Sequence, residues 1–307
     1  ACEQCNSTAE TSKAGATICF KCEAGLYMTS TKNCSDCPPG KVSTYGKIEC
    51  RQCGNGQYAN AVTKATSCKS CGAGKYGDQN LQFFESSCKS CPAGRYSSAK
   101  GVAGIDECNK CAAGKKNPNN GSNSSSECVK CGMNMKAAEA GLAQCVSCET
   151  GTTSDAGSNK CQSCEAGMFS NVTGAACQNC DVGQYRPSKQ EDGVNITDPT
   201  TCVACPVGYY NDDVGQGSCL PCVPGEFNDV AGASRCTLCP NTTYFGGKGR
   251  NSSCMDCPTG WSSEDGSAKC DTCDAGRFGQ TKGVCSACPD GFYQENKGKT
   301  ECGECNL

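Results

Sequence analysis

The chain has 307 residues, 36 of them cysteine, a net charge of −3 and no histidine. With Trp 1, Phe 8, Tyr 10 and Met 5, it lacks the large apolar side chains of an ordinary core, so covalent or metal staples must hold it together. Without histidine no Ser-His or Cys-His nucleophile can be assembled, no apolar run of 18 residues spans a membrane, and no basic cluster stands out to bind nucleic acid.

The chain begins at Ala1-Cys2, already inside a repeating pattern. That start is expected of a mature form whose signal peptide has been removed, and an anchor signal removed after Leu307 would allow a lipid anchor. Every cysteine belongs to a CxxC. The pairs begin at 2, 19, 34, 50, 68, 88, 108, 128, 145, 161, 177, 202, 219, 236, 254, 270, 285 and 302, which makes eighteen pairs with none left over. An internal repeat of this kind decides the architecture before any other feature.

Between pairs a second rule holds. Glycine sits three residues after the second cysteine, as at Gly25, Gly40, Gly94, Gly208 and Gly276, and Thr8, Asn134 and Thr242 stand in elsewhere. Two residues further on there is often an aromatic, such as Tyr27, Tyr76, Tyr96, Phe169, Tyr210 or Tyr293. Glycine permits positive φ, so each CxxC is expected to open into a tight turn. A short extended piece then carries one ring over the neighbouring cystine and supplies most of the unit's small core. The fold class expected is a small disulfide-rich repeat: an elongated rod of tandem CxxC units with short β-hairpins and loops and little helix.

In chain order, residues 1–131 read as tandem repeats. Within them Leu81-Gln82-Phe83-Phe84 is the densest apolar patch, a candidate contact site or a local filler. Residues 132–144, GMNMKAAEAGLAQ, lack both the glycine and the aromatic, and MKAAEA favours helix; this is an irregular repeat and a candidate junction. Residues 145–307 resume the repeats. The longest spacer, 181–201, is expected to be an excursion loop.

The cysteines admit two chemistries. C-x2-C pairs spaced by 11 to 21 residues fit four-cysteine zinc sites. Disulfides fit better, because histidine and a basic surface are both absent and glycosylation sequons are abundant. Eight sequons occur, at Asn6, Asn33, Asn120, Asn123, Asn171, Asn195, Asn241 and Asn251, where composition alone predicts about four. Asn33 is the weakest because Cys34 is its middle residue; the other seven are expected to carry N-linked glycans.

Two connectivities suit the pattern. In a ladder, the second cysteine of each pair bonds the first of the next, leaving Cys2 and Cys305 over and suited to head-to-tail linkage. In an interlocked form, Cys2–Cys19 joins Cys5–Cys22, and Cys34–Cys50 joins Cys37–Cys53. The interlocked form is preferred because it uses every cysteine, and Cys88, Cys91, Cys108 and Cys111 are expected in disulfides as well.

At Cys88–Gly101, CKSCPAGRYSSAKG, the chain resembles the ephrin-receptor-like cysteine-rich repeats, and CVACPVGYY from Cys202 and CSACPDGFY from Cys285 take the same form. The array as a whole is similar to the immobilisation-type surface antigens of ciliates, and its CxxC density to the variant surface proteins of Giardia. The resemblance implies an extracellular surface or coat role and supplies no catalytic residues. The expected function is a glycosylated structural rod of a cell surface, coat or fibre that associates with itself or with other surface proteins. It needs no cofactor and no metal, and binds no nucleic acid. A lipid-anchored variable surface antigen and a receptor or adhesin ectodomain are the alternatives, and an enzyme is not expected.

Overall fold

The computed structural model of the chain describes residues 10, 11, 19–79, 84–187 and 200–305. It divides into two compact units, Ala1–Cys148 with Ser154–Cys161, and Glu149–Thr153 with Gln162–Leu307. Each unit is a tandem series of one element, a two-stranded antiparallel hairpin, and seventeen such hairpins are formed among the described residues.

The hairpin follows from the sequence rules. After the second cysteine the chain turns through the conserved-position glycine of the repeat. At Pro92–Arg95, for example, the Arg95 N–H donates to Pro92 O at 3.1 Å and Gly94 takes φ 82°. Positive φ at the third residue of a turn is the requirement that glycine meets. The next two residues, Arg95–Tyr96, pair with Asn109–Lys110, the inner residues of the following CxxC. Where the spacers of the first unit lengthen, a single 3-10 turn takes up the extra residues, at Glu85–Ser87, Ile105–Glu107 and Ser125–Glu127. The expected repeat of short hairpins and loops with little helix is what forms; among the described residues the only helical turns are the three 3-10 turns.

Sixteen disulfides link the described cysteines, and they form the ladder: Cys22–Cys34, Cys37–Cys50, Cys53–Cys68, Cys71–Cys88, Cys91–Cys108, Cys111–Cys128, and so on to Cys288–Cys302. The interlocked pairing Cys5–Cys22, Cys34–Cys50 and Cys37–Cys53 is therefore overturned. The reason is the geometry of an extended chain. Side chains three apart on a strand point to opposite faces, so the two sulfurs of one CxxC diverge. One bonds back to the preceding repeat and the other forward to the next. Cys19 is also disulfide-bonded, and Cys2 and Cys5 lie outside the described residues. Cys305 is exposed and carries a free thiol.

Backbone hydrogen bonds join the repeats in a recurring pattern. The Gly94 carbonyl accepts from Cys111 N at 2.9 Å, and its N–H donates to Asn117 O at 2.7 Å. Ser97 N donates to Ser122 O at 3.0 Å, and Gly121 N to Cys91 O at 2.7 Å. The second unit repeats the pattern at Cys222 N to Gly208 O, Gly208 N to Asn228 O, and Asn211 N to Ala233 O. The turn glycine also meets the repeat two ahead. A Cβ on Gly94 would overlap the Gly141 carbonyl, and one on Gly208 would overlap Gly249. Glycine is thus required twice at this position, by φ and by the close approach.

Residues 132–144 form the same hairpin, with Met135–Lys136 against Val146–Ser147, so the helix favoured by MKAAEA does not form. Asn134 takes φ 58° in the place of glycine, and Gly141 supplies the second turn. Asparagine tolerates the left-handed region better than most residues.

The core is narrower than a layer of rings. The second cysteine of each described pair up to Cys273 is buried, often completely, as at Cys37, Cys91 and Cys205, while Cys288 is half-buried and Cys305 exposed. Among the ring positions only Tyr76 is enclosed, packed with Val102 and the Cys91–Cys108 cystine. The others are half-buried, and Tyr293 is 48% exposed. Cystine, rather than aromatic area, occupies the centre.

Replacing Gly94 by valine is expected to lower the local opening free energy around it by about 2 kcal/mol. Faster hydrogen exchange at the Cys111 and Cys91-bonded Gly121 amides would show it. Gly132→Ala is the control, because nothing lies within 4 Å of an added Cβ there, and exchange should be unchanged.

Candidate functional site

The residue three positions after the turn glycine is buried and often polar: Ser43, Ser97, Asn117, Ser154, Ser170, Arg186, Asn211 and Asn228. In several repeats the hairpin strand leaves the carbonyl just after the turn residue facing the following repeat, and this polar side chain donates to it; Ser97 and Ser170 donate instead within their own loops, to Ala99 O and Val172 O. Asn117 Nδ2 donates to Arg95 O at 3.2 Å, Asn211 Nδ2 to Gln184 O at 2.8 Å, and Asn228 Nδ2 to Tyr209 O at 2.7 Å. Ser43, Ser154 and Ser263 do the same through hydroxyls. Arg186, 6% exposed, fills the position with a guanidinium that donates to the carbonyls of Cys164, Glu165 and Met168. A buried carbonyl left without a donor is costly, which accounts for polar residues at the centre of so small a core. Sequence reasoning missed this position. Its signal was the serine or asparagine recurring three residues after the turn residue, as at Ser43, Asn117, Ser154 and Asn211, read as spacer polarity instead of as a hydrogen-bond donor.

The sequence-predicted glycan sites Asn120, Asn123, Asn171, Asn241 and Asn251 are all exposed, as is Asn33. Asn120, Asn123, Asn171 and Asn251 lie in the loops, whereas Asn33 O accepts from Thr29 N at 2.9 Å at the end of its hairpin. Asn120 Oδ1 accepts from Ala93 N at 2.8 Å, which orients its amide. Asn6 and Asn195 lie outside the described residues, as do most of the 181–201 spacer and Leu81-Gln82-Phe83, while Phe84 is 51% exposed. The predicted residues are therefore not gathered at one point; they are distributed along the surface.

Carboxylates are similarly dispersed. Lys89 Nζ donates to Asp78 at 2.8 Å, which holds that carboxyl below its usual range and raises the lysine. Lys297 and Asp274 do the same at 2.8 Å. Glu127 is lowered by the nearby Ser122 hydroxyl and by the amides of Asn123 and Ser124, which it caps. A surface depression of about 650 Å³ is lined by Ser43, Thr44, Lys47, Glu49, Arg51 and neighbours, and pairs no carboxylate with another. Among the described residues, every cysteine except Cys305 is disulfide-bonded, so its sulfur is bonded to sulfur. No described helix is long and apolar enough to cross a membrane.

A family model described as tyrosine-protein kinase ephrin type A/B receptor-like matches residues 194–235. No curated protein matches the chain. The matched stretch contains the Cys205–Cys219 disulfide and the Tyr209–Tyr210 hairpin strand, both in the same geometry as the unmatched repeats. Together, the match and the disulfide ladder make this a cysteine-rich repeat protein of extracellular type.

Arg186→Met is expected to destabilise the surrounding repeats by about 2 kcal/mol, because the Cys164 and Met168 carbonyls lose its guanidinium while Glu165 O still accepts from Met168 N. Hydrogen exchange confined to the neighbourhood of residues 164–186 would report it. Stability should also be nearly flat across neutral pH. The lowered carboxyls of Asp78, Glu127 and Asp274 contribute above their unfolded pKa and lose that contribution only as pH falls through their lower folded values, below about 4. The raised Lys89 and Lys297 contribute below their unfolded pKa and lose it as pH rises through their folded values, above about 10. Denaturant midpoints of the oxidised chain from pH 3 to 11 would check both edges.

Proposed function

We propose that the protein is an extracellular structural element: a glycosylated, disulfide-built spacer of a cell surface, coat or fibre that associates with copies of itself or with other surface proteins and performs no catalysis. One observation carries this reading. The same backbone bonds recur from repeat to repeat, as at Gly94–Asn117 and Gly208–Asn228, and buried side chains such as Asn117, Asn211 and Asn228 serve this ladder. Chemistry concentrates special residues at one place; mechanical function repeats ordinary ones. The exposed sequons add that the loops face outward and are free to carry sugar.

The match to the ephrin-receptor-like repeat at 194–235 favours a second reading, a receptor or adhesin ectodomain whose ligand contacts one segment of the array. The resemblance to ciliate immobilisation-type antigens supports a third, a lipid-anchored coat protein in which the loops vary while the ladder is kept.

The test is made on protein secreted by a eukaryotic host. Alkylation without reductant should add groups at no more than the unladdered cysteines, and the intact mass should exceed the chain by hexose-containing units. Negative-stain images should show end-to-end or lateral assemblies. Monodisperse single particles that bind one cell-surface partner tightly, with binding lost on deletion of a single segment, would replace the spacer by the receptor reading.

A further inference from the structure

The structure assembles a basic surface that the linear sequence does not display. In the hairpin of Arg95–Tyr96 and Asn109–Lys110, Arg95 stands directly opposite Lys110. In the next hairpin, Lys115–Lys116 against Val129–Lys130, Lys115 stands directly opposite Lys130. These are the only two of the seventeen described hairpins that pair cation with cation. Lys110 and Lys115 flank Cys111, across a single turn closed by Lys115 N to Ala112 O at 3.1 Å. The two cation pairs, Arg95–Lys110 and Lys115–Lys130, are thus joined through that one turn.

Like charges placed directly opposite one another oppose hairpin formation. The hairpin does not require them, since the same register holds Gln57 and Ser70, or Met135 and Ser147, in other hairpins of this unit; of the four, Arg95 also donates to the carbonyls of Ile105 at 2.9 Å and Cys108 at 3.1 Å. Nor are they neutralised. Lys110 and Lys130 are exposed, and none of the four residues joins an ion pair among the described residues. Of the three acids close in sequence, Glu107 accepts from Ala103 N and Glu127 from Asn123 N and Ser124 N, while Asp106 is exposed and forms no ion pair with the four cations. Residues 95–136 carry seven basic side chains against three acidic ones, in a chain whose net charge is −3. The stems of Lys110 and Lys130 lie across Gly141 and Gly157 of the following repeats, with the nearest side-chain carbons 3.1 and 3.2 Å from a Cβ built there. Both lysines are therefore held along the face.

We propose that this row of cations, Arg95, Lys110, Lys115 and Lys130, binds a linear polyanion of the extracellular space, a sulfated or uronate-rich polysaccharide. A line of adjacent charges suits a polymer carrying an anionic group on each sugar, and its affinity comes from displaced counterions. The choice of a polysaccharide over a nucleic acid rests on the extracellular reading above; the row itself does not.

The experiment uses the full oxidised chain and size-defined heparin as the probe, with neutral dextran as control, across a salt series. Heparin binding is expected at low salt, weakening steeply as salt rises, with none to dextran. Lys110→Glu with Lys130→Glu should weaken it by about tenfold or more, while Lys110→Arg with Lys130→Arg retains it and Lys269→Glu with Lys282→Glu leaves it unchanged. Non-reducing peptide mapping confirms that the ladder is intact in each variant. Equal heparin binding by the Glu variant overturns the proposal. So does a Glu variant that binds heparin normally but loses self-association by light scattering, which would assign the face to a second copy of the chain. Because binding is measured on purified protein, a failure here leaves the mass and imaging results untouched, and the reverse also holds.

Discussion

The close approach of one peptide carbonyl to a glycine two repeats earlier sets the spacing on which everything else depends. With Gly94 against Gly141, or Gly208 against Gly249, the backbone is too near for any side chain. That contact brings the turn of one repeat within hydrogen-bonding reach of the next, at Gly94 N to Asn117 O and Cys111 N to Gly94 O. It also leaves a centre so thin that it accommodates a cystine and one small or donor side chain per repeat. The shortage of large apolar residues in the composition is therefore a consequence of the packing, since there is no room for them.

Charge and polarity take opposite places from those in a globular domain. Asn117, Asn211, Asn228 and Arg186 face inward, where they complete the hydrogen bonds of the preceding strand. Valine and leucine side chains such as Val146, Leu220 and Leu238 face outward, on the inner residues of the CxxC. The free energy that holds the repeats comes from covalent loop closure and satisfied backbone groups more than from buried hydrocarbon.

Much of this was legible in the residues. The CxxC period announced the repeat, and the glycine three residues later announced its turn. The hairpin followed from both. The disulfide pairing was not read correctly, although the alternation of side chains along Cys34–Asp36 contained the answer; counting leftover cysteines outweighed geometry. The row formed by Arg95, Lys110, Lys115 and Lys130 could not be seen, because these residues are up to 35 positions apart in the sequence and only the hairpin register makes them neighbours. The second turn glycine was read only at Gly101, within the resemblance; its recurrence at Gly141 and Gly249 escaped notice because loop length shifts its distance from the cysteines.

The ladder also determines where the chain can be cut without falling apart. Each disulfide closes a ring around one loop, from Cys22–Cys34 through to Cys288–Cys302. A nick anywhere inside such a ring leaves both halves tied by sulfur. Only the link between rings, Cys34 to Cys37 and its equivalents, runs as a single strand, and its inner residues are held in the hairpin. The loops can be broken, lengthened or exchanged without severing the molecule, while its continuity is confined to short segments already engaged in hydrogen bonds. An exposed surface of this kind wears away in place, and the frame beneath it stays whole.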